Sequence, residues 1–596
     1  MTRSQLAVAI ATVLSLCRLG ATTPTAESLT DADVGAAMQA IVDELARRKA
    51  PDTYWDPPVW IKLDDGEPSQ GGGYTALVAL ALQHAGVSYQ SDLLRDVIEH
   101  LKTVPLRGTY AIATRAMVWA NLPDAFRPQL DADVKWLTEA FSRKSGGWEY
   151  EARPQSAILD NSVTLFGALA LWHASRRGVT IDDQVWRRME QRFVATQNAD
   201  GGWSYRPPDA RSTGSMTTAG LTALHIVEDA LHGPLFARVV EGYDSPSRRA
   251  QRAALAWLDS TFTTDRNPGS DMYDFYYQWG LERVALAGGR RTFGGRDWYR
   301  EGAAELMRRV LDDDPDTGGY RVRATVNDIF GDSPMRNEQL AFALMFLARG
   351  RVPIVINKLQ FDGAWNNRPR DVGNFTDWLG RESERELNWQ VVRLGSDPTT
   401  WLNASMLYIA SHEAPPFIAD HERALDAYVR ESRTMLAKRR AGRLPKDAAP
   451  PTRPDVPALD ALRTYVELGG QIVAINEQGG RSFARLIELM GSAMYPQYDW
   501  QEAPPDHPAY GLVWPADGAL PRLQLLSNGV RDLIVLADRE DLAASFQERS
   551  MRRASAWTTL ANLVFIGSEK SRLSPRLHET NPLTSPTREQ VSAGTI

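Results

Sequence analysis

The sequence predicts a multidomain protein that is all-helical in its first part and α/β in its second part. Two observations support this fold class. Amphipathic helices alternate with nearly uncharged helices between about residues 33 and 350, and short runs rich in β-branched residues alternate with helices from residue 351 to about residue 570. The change from one pattern to the other predicts a domain boundary at residues 350–351.

The N-terminus, residues 1–26, has the order of residues found in a secretory signal peptide. Arg3 gives a basic start, the apolar run LAVAIATVLSLC covers Leu6–Cys17, and small polar residues follow at Gly20–Ala26. This order predicts export to the periplasm or cell envelope, with an ordinary N-terminal helix as the alternative. Cys17 is the only cysteine, so the exported chain would have no thiol for a disulfide, a zinc site or a nucleophile.

Net charge argues against a nucleic-acid partner, and hydropathy argues against a membrane-spanning segment. A net charge of -7 at pH 7 argues against a nucleic-acid partner, because phosphate neutralisation needs a concentrated basic surface. After the first 26 residues no apolar run approaches the roughly 18 residues of a membrane span, so we expect no integral membrane segment.

Two kinds of helix make up the first domain, residues 33–350. The amphipathic kind is exemplified by DQVWRRMEQRF, in which Val185, Trp186, Met189 and Phe193 share one face. The nearly uncharged kind has six examples, which start at Gly71, Gly108, Asp160, Gly214, Asp271 and Met335. A helix that is apolar on all sides must be buried on all sides. Six inner helices covered by six amphipathic ones predict a closed ring of about six hairpins, an α/α toroid.

Polar and aromatic residues collect at the starts of these inner helices, where we expect the mouth of the ring. Asp160, Asp274 and Glu338 are candidates for a general acid and base pair, as in glycoside cleavage. The alternative is that they cap helices or pair with arginines such as Arg336. The candidate ligand-binding residues of this region are Tyr74, Tyr110, Asn161, Tyr276, Tyr277, Arg336 and Asn337.

Five short runs rich in β-branched residues predict the strands of the second domain, residues 351–570. They are Val352–Phe361, Asn388–Leu394, Ser405–His412, Gly469–Asn476 and Val530–Asp538. Helical segments separate them at Val372–Leu379, Asp420–Arg440, Ala458–Leu468 and Arg481–Met490. Buried strands that alternate with helices predict a parallel sheet of flavodoxin-like type. The tail at residues 571–596 is polar, and we expect it to be disordered.

A second candidate site follows from this sheet, because ligands of open α/β sheets bind beyond the carboxyl ends of strands. His412 and Glu413 follow the third predicted strand, and Asn476, Glu477 and Arg481 follow the fourth. The segment EQGGRS could present backbone N–H groups to an anion at a helix start, although a plain turn is the alternative.

Two resemblances to known families fit these patterns. The repeat end QNADGGWSY at Gln197–Tyr205, with its weaker copy SGGWEY at Ser145–Tyr150, resembles the repeats of squalene cyclases and protein prenyltransferase β-subunits. We expect Trp203 of this motif to pack the seam between neighbouring hairpins. The segments SMLYIASHEAPPF, LRTYVELGGQIVAINEQGG and APPDHPAY resemble an uncharacterised exported bacterial domain that is related in fold to class I glutamine amidotransferases.

The catalytic groups that these resemblances imply are absent from the sequence. The prenyltransferase zinc site needs a cysteine, the cyclase acid motif Asp-x-Asp-Asp does not occur, and the amidotransferase turn reads Asn476–Gly480 without a cysteine. The Asp-rich run DDDPD at Asp312–Asp316 is interpreted as a turn rather than a magnesium site. No cofactor and no metal are therefore expected.

The leading hypothesis is an exported binding or assembly protein, with no enzymatic activity and with an apolar or glycan ligand in the toroid and a protein partner in the cell envelope. The alternative is a cell-envelope enzyme that acts on an isoprenoid or a glycan in the toroid. A third hypothesis makes the α/β domain the functional part, with an anionic small molecule bound at Asn476–Arg481.

Overall fold

The computed structural model describes residues 23–57, 69–155, 160–207, 211–232, 244–328, 331–445, 448–568, 573 and 576–577. The predicted signal peptide, except for its last four residues, and most of the predicted tail lie outside these residues. The chain divides into two compact units. The first contains the described residues up to Leu231, together with Asp244–Ala287 and Thr292–Arg351, and the second contains His232, Gly288–Arg291 and the described residues from Val352 onward.

Outer and inner α-helices alternate strictly through the first unit. The outer helices are α1 (Asp31–Arg48), α3 (Arg95–Thr103), α5 (Arg127–Ala140), α7 (Asp183–Ala195), α9 (Pro246–Thr261) and α11 (Trp298–Val310). The inner helices are α2 (Gly73–His84), α4 (Thr109–Ala120), α6 (Asn161–Arg176), α8 (Gly214–Val227), α10 (Asp274–Gly288) and α12 (Asn337–Arg351).

The six inner helices form a closed ring. Helix α4 packs between α2 and α6, α6 packs against α8, and α12 returns to pack against α2. Gly280 of α10 lies against Thr218 of α8. The rings of Trp279 on α10 and Phe342 on α12 are 5.2 Å apart between centroids, which completes the circle. The first unit is an α/α toroid, as the alternation of helix types predicts.

Burial separates the two kinds of helix as expected. Helix α7 buries Val185, Trp186, Met189 and Phe193 and exposes much of its other side, so its predicted apolar face is confirmed. Helix α6 buries every residue from Asn161 to Leu171. Outer helices therefore have one solvent-facing side, whereas inner helices are covered all round.

Three short β-hairpins interrupt the helices of the toroid, and the sequence patterns did not predict them. They pair β1 (Thr292–Phe293) with β2 (Arg296–Asp297), β3 (Leu311–Asp314) with β4 (Gly319–Val322), and β5 (Thr325–Asp328) with β6 (Gly331–Pro334). The run DDDPD ends β3 and forms the following turn, in which Asp314 accepts from the backbone N–H of Asp316 at 3.1 Å. The turn therefore contains Pro315 and Asp316, whereas Asp312–Asp314 belong to strand β3, which the interpretation as a turn did not predict.

The second unit contains a seven-stranded mixed sheet. Its strands are β7 (Ile354–Gln360), β8 (Asn388–Arg393), β9 (Met406–Ser411), β10 (Ile472–Asn476), β11 (Trp500–Glu502), β12 (Leu523–Ser527) and β13 (Asp532–Ala537), in the spatial order β11-β12-β13-β10-β9-β7-β8. The five strands from β13 to β8 are parallel, and they correspond to the five predicted strands. The prediction of a wholly parallel sheet was wrong, because β11 and β12 extend one edge in antiparallel pairing.

Helices cover both faces of this sheet. They are α13 (Asp371–Glu382), α14 (Glu422–Arg440), α15 (Pro457–Glu467), α16 (Arg481–Met494), α17 (Leu542–Glu548) and α18 (Ala554–Gly567). Ile472 and Ala474 of β10 enter the core under α14, α15 and α16, whereas Val473 and Ile475 enter the core under α13, α17 and α18. Double-sided burial explains why these strands are apolar at consecutive positions. Within the described parts of the chain, no helix is both long enough and apolar enough to cross a bilayer.

Candidate functional site

Polar groups gather around the start of inner helix α6. Asp160 is the N-cap of this helix, and one carboxylate oxygen accepts from the backbone N–H of Val163 at 2.7 Å. The other oxygen accepts from the hydroxyl of Tyr205 at 2.9 Å. The Tyr205 hydroxyl also contacts that of Tyr150. Burial raises the pKa of Asp160, and these hydrogen bonds offset part of that rise.

A chain of hydroxyl groups joins this helix start to two neighbouring inner helices. Tyr110 of α4 donates to Ser162 Oγ at 2.7 Å, and Ser162 Oγ lies 3.1 Å from the hydroxyl of Tyr276 on α10. Asp160 also raises the pKa of Tyr110 and of Tyr276, after the larger effect of burial. The predicted residues Tyr110, Asp160 and Tyr276 therefore belong to one cluster.

Aromatic rings continue from this cluster toward helix α12. The ring of Tyr276 lies 5.5 Å from Phe342 and 5.7 Å from Trp279, and Phe166 lies 5.4 Å from Trp279. These rings come from helices α6, α10 and α12, and a whole hairpin of the sequence separates α6 from the hairpin that contains α10. The interior of the ring therefore combines apolar rings with a few hydroxyl and carboxyl groups, the composition typical of small-molecule sites.

Glu338 lies in the first turn of α12, one turn before Phe342 on the same side of the helix. Arg336 Nε contacts one of its carboxylate oxygens at 2.6 Å. The other oxygen, Oε2, is buried and has no hydrogen-bond partner among the described residues. Burial raises the pKa of Glu338, and Arg336 opposes that rise. Burial, followed by the charge of Glu338, raises the pKa of Tyr74 on α2 to about 12. The effect of this charge indicates that Tyr74 lies near Glu338.

Asp274, the third predicted carboxylate, has structural partners. It lies 3.0 Å from Arg309 and accepts from the backbone N–H of Asn267 at 2.9 Å. The alternative of a carboxylate paired with an arginine therefore describes Asp274 better than a catalytic role.

Three other predicted ligand-binding residues hold the toroid together. Asn161 donates to the carbonyl of Ser204 at 2.8 Å, and Asn337 donates to the carbonyl of Trp55 at 3.1 Å. Tyr277 is fully buried, and its ring lies against Gly214. These contacts bridge neighbouring hairpins and leave the three side chains little surface for a ligand.

Sequence reasoning missed Asp56 at the start of inner helix α2. Its carboxylate accepts from the backbone N–H groups of Tyr74 and Thr75, at 3.3 Å each, and from the Thr75 hydroxyl. An N-cap normally lies next to its helix. Asp56 instead precedes Tyr74 by 18 residues in the chain, so no local signal points to it.

The second predicted site lies at the carboxyl ends of β7, β9 and β10. Asn367, after β7, places its amide nitrogen 2.6 Å from Glu477 Oε2 and 3.0 Å from His412 Nδ1. Glu477 is fully buried, and its other oxygen has no hydrogen-bond partner within the described part of the chain. Desolvation raises the pKa of Glu477 to about 7, although Arg368, Asn367 and Lys358 oppose this rise. The structure thus brings the predicted residues His412 and Glu477 together.

One backbone N–H of the turn after β10 already binds a carboxylate of the protein. Gln478 has a left-handed backbone with φ 60°, and its N–H donates to Asp541 Oδ2 at 2.9 Å. Arg368 pairs with the same carboxylate. Asn476 is also committed, because its amide donates to the carbonyls of Gly480 at 2.8 Å and Asp538 at 2.6 Å. Asp541 therefore occupies one of the backbone donors that the predicted anion site would use.

Two further residues of this predicted site, Glu413 and Arg481, lie on the surface. The Glu413 carboxylate is 3.5 Å from His412 Nε2, and Arg481 begins helix α16 with an exposed side chain. Over the described residues, no group of three or more His, Cys, Asp or Glu side chains could hold a metal ion.

Comparison with solved structures finds similar toroids among glycoside hydrolases. The GH76A α-1,6-mannanase from Salegentibacter sp. HEL1_6 matches with a TM-score of 0.38 and 8% identity over 53% of this chain and 98% of its own. A possible member of family GH105 from Salmonella enterica serovar Paratyphi A matches with a TM-score of 0.36 and 12% identity over 56% and 96%. The family 76 mannosidase Bt3792 from Bacteroides thetaiotaomicron matches with a TM-score of 0.36 and 11% identity over 53% and 97%. No family model and no curated protein matches the sequence.

These comparisons correct two expectations. The comparisons run against the expectation of a protein without enzymatic activity, because the matched structures are described as glycoside hydrolases or possible members of such a family. Of the resemblance to prenyltransferases and squalene cyclases, the structure supports the α/α toroid. None of the three solved structures named above is described as a prenyltransferase, a cyclase or an amidotransferase. A local repeat such as QNADGGWSY reports how hairpins pack, and it says little about the chemistry inside the ring.

Proposed function

We propose that the toroid is an enzyme that cleaves a glycan, with Glu338 as general acid and Asp160 as the second carboxylate. The observation that carries this proposal is the buried Oε2 of Glu338, which has no hydrogen-bond partner among the described residues. Burial raises the pKa of Glu338, which favours the protonated form that a general acid needs to deliver a proton to a leaving group.

The surroundings of Glu338 support a sugar more than an isoprenoid. Hydroxyl groups of Tyr110, Ser162 and Tyr276 point to hydrogen bonding with a hydroxylated ligand, and the rings of Phe342 and Trp279 supply apolar faces. An isoprenoid has no polar groups along its chain to hydrogen-bond with these hydroxyl groups, whereas a sugar has several.

The proposed reaction uses the two carboxyl groups in turn. Glu338 transfers its proton to the glycosidic oxygen as the bond between that oxygen and the anomeric carbon breaks. In one route Asp160 takes a proton from the water that attacks the anomeric carbon. In the other route Asp160 attacks the anomeric carbon itself, and water that has given a proton to Glu338 then breaks the bond between Asp160 and the sugar. The configuration of the released sugar distinguishes these two routes, because direct attack by water inverts the anomeric centre.

Glu338→Gln tests the proposal. We expect a loss in kcat of roughly 10²- to 10⁴-fold with folding retained, because glutamine keeps the shape but has no proton to give. Hydrolysis would be measured on a panel of neutral and acidic oligosaccharides that includes α-1,6-mannotetrose. Glu99→Gln is the matched control, since Glu99 is exposed on outer helix α3.

Asp160→Asn completes the experiment, because asparagine is as good an N-cap as aspartate and so separates chemistry from helix capping. We expect a loss of turnover with little loss of stability. Hydrolysis that is unchanged in both Glu338→Gln and Asp160→Asn would overturn the proposal.

The proposal also assigns domains and location. Residues 33–350 would form the catalytic toroid, residues 351–570 the α/β domain, and residues 1–26 a signal peptide for export. We further propose that the α/β domain is flavodoxin-like, which its parallel strand order β8-β7-β9-β10-β13 supports. Mass spectrometry of the exported protein would test the cleavage after the signal peptide.

A further inference from the structure

Arg283 of helix α10 is a buried guanidinium group with two nitrogens that lack partners. The residue is 6% exposed, and its Nε and Nη2 atoms make no hydrogen bond within the described part of the chain. A buried charge is normally paired, because removing it from water without compensation is costly. Burial lowers the pKa of Arg283 to about 9, so the group still carries its charge at neutral pH.

The acid next to Arg283 in the chain pairs with another arginine. Glu282 lies 3.3 Å from Arg349, and farther along Asp229 lies 3.8 Å from Arg176. Among the described ion pairs, each of these two acids therefore has an arginine other than Arg283 as its partner. Burial and then the nearby arginines hold the pKa of His173 well below its usual range, which favours the neutral form of this ring.

The position of Arg283 connects it to the proposed glycan site. Its guanidinium carbon lies 4.3 Å from the centre of the Trp279 ring. Tyr276, Trp279 and Arg283 follow one another at spacings of three and four residues, so they share one side of α10. Side chains on a helix lean toward its N-terminus, which directs Arg283 toward Tyr276. The positive charge of Arg283 also lowers the pKa of Tyr276, as expected for close neighbours.

The two atoms without partners form the edge that binds carboxylates elsewhere in this protein. Arg351 uses Nε and Nη2 to hold Asp31 at 2.5 and 2.6 Å. Arg115 uses the same edge for Asp133, at 2.9 and 2.5 Å. The Nε–H and Nη2–H groups of an arginine match the two oxygens of a planar carboxylate.

We propose that the substrate is an acidic glycan and that Arg283 binds the carboxylate of a uronic acid residue through Nε–H and Nη2–H. This inference rests on the proposed function, because it places the sugar in the same toroid interior as Glu338 and Asp160. Arg283 would then determine specificity and would take no part in proton transfer.

Binding measurements in the Glu338→Gln background test the inference without turnover. The probes are trigalacturonic acid, its methyl ester and a sulfated neutral trisaccharide. We expect the acid to bind more tightly than its ester, and Arg283→Met to weaken binding of the acid by about 30-fold or more, as for a buried charge pair that loses one partner. Binding of the ester should change little, and Arg283→Lys should restore only part of the loss, because lysine lacks the planar fork.

Thermal unfolding of the unliganded protein provides a readout that a purely structural arginine would not give. We expect Arg283→Met to raise the Tm, because methionine fills the space of the side-chain stem and removes an unpaired buried charge. Arg115→Met is the matched control and should lower the Tm, because it leaves the buried carboxylate of Asp133 without its arginine partner. A lower Tm in Arg283→Met would mean that the guanidinium serves the fold, and it would overturn the inference.

The outcomes separate the inference from the proposed function. Cleavage of neutral oligosaccharides that depends on Glu338, with no preference for the acid over its ester, would overturn the inference alone. Tight binding of the acid through Arg283, with turnover that is indifferent to Glu338, would support the inference and overturn the proposed acid. Preference for the sulfated sugar over the carboxylate would also overturn the inference.

Discussion

Buried charges in this protein differ in whether every charged atom has a partner. Lys358 and Asp371 are each 1% exposed and lie 2.6 Å apart, and the Tyr408 hydroxyl donates to the second Asp371 oxygen at 3.1 Å. Glu477 lies near this pair, but its nearest donor is the neutral amide of Asn367. Complete pairing stabilises the first group, whereas Glu477 retains a carboxyl group whose ionisation the fold disfavours.

The raised pKa of Glu477 should make the stability of the protein depend on pH. Its pKa is raised from 4.5 to about 7 in the folded protein, so the folded state holds more protons than the unfolded state between these values. Stability from this group is therefore full below pH 4.5 and is lost as the pH rises to about 7, by about 3 kcal/mol. Glu477→Gln should remove this dependence. The measurement is urea unfolding at pH 5 and pH 8, followed by tryptophan fluorescence.

Glu413→Gln is the control for this prediction, because Glu413 is an exposed carboxylate that follows the neighbouring strand β9. It should keep the wild-type difference between pH 5 and pH 8. An equal difference in the Glu477→Gln variant would show that Glu477 ionises normally in the folded protein.

Three tryptophans join outer helices to the inner helices that follow them. Trp203 donates its indole N–H to the carbonyl of Phe193 at 2.9 Å, and its backbone N–H donates to Thr217 Oγ1 at 3.2 Å. Trp148 repeats this arrangement with Leu137 and Thr164, and Trp55 repeats it with Leu45 and Thr75. The predicted role of Trp203 in the seam between hairpins is confirmed. The motif QNADGGWSY therefore marks an element of packing.

Glycines on the inner helices make room for these tryptophans. A Cβ atom on Gly220 would lie 2.6 Å from Cδ2 of Trp203, and one on Gly167 would lie 2.6 Å from Cδ2 of Trp148. We expect Gly220→Ala to destabilise the toroid by about 1–3 kcal/mol, because a rigid buried indole must shift. Chemical denaturation would measure the change.

Gly35→Ala on outer helix α1 is the matched substitution for Gly220→Ala. Its Cβ would meet only the flexible end of Arg351, at 3.4 Å. The variant should be neutral, or more stable by up to about 1 kcal/mol through the higher helix propensity of alanine. If Gly220→Ala behaved like Gly35→Ala, the tryptophan seam would not limit packing at this position.

Ring closure ties the first helix of the toroid to the last. Arg351 at the end of α12 holds Asp31 at the start of α1 with two hydrogen bonds, across 320 residues of chain. Arg48 at the end of α1 donates to the carbonyl of Met335, just before α12, at 2.6 Å. Contacts between the two ends of the domain should make the toroid unfold as one cooperative unit rather than hairpin by hairpin.

A double-mutant cycle on Asp31→Asn and Arg351→Gln measures this closure. We expect a coupling energy of about 1 kcal/mol, because the pair is bidentate but only partly buried. The comparison cycle uses Glu305 and Arg308, which lie within helix α11 and should couple by less than about 0.5 kcal/mol. If the two cycles gave equal coupling energies, the pair of Asp31 and Arg351 would stabilise the protein no more than an ion pair within one helix.

The sequence alone determined the order of helix types, the five parallel strands and the tryptophan seams, because the spacing of apolar residues along a chain reports burial locally. It did not predict β11, β12 or the hairpins of the toroid, whose short strands carry no clear periodicity. At the candidate sites it named Asp160, Glu338 and Glu477, but it also named Asp274 and missed Asp56 and Arg283.

Only the tertiary structure decided which of these charged groups has a partner. Asp274 is paired by Arg309, the turn at Gln478 is filled by Asp541, and Glu338 and Arg283 each keep buried atoms without a hydrogen bond in the described structure. These differences arise from side chains that are far apart in sequence. Apolar periodicity acts through each helix or strand separately, whereas the pairing of buried charges depends on which elements the closed ring and the sheet bring together.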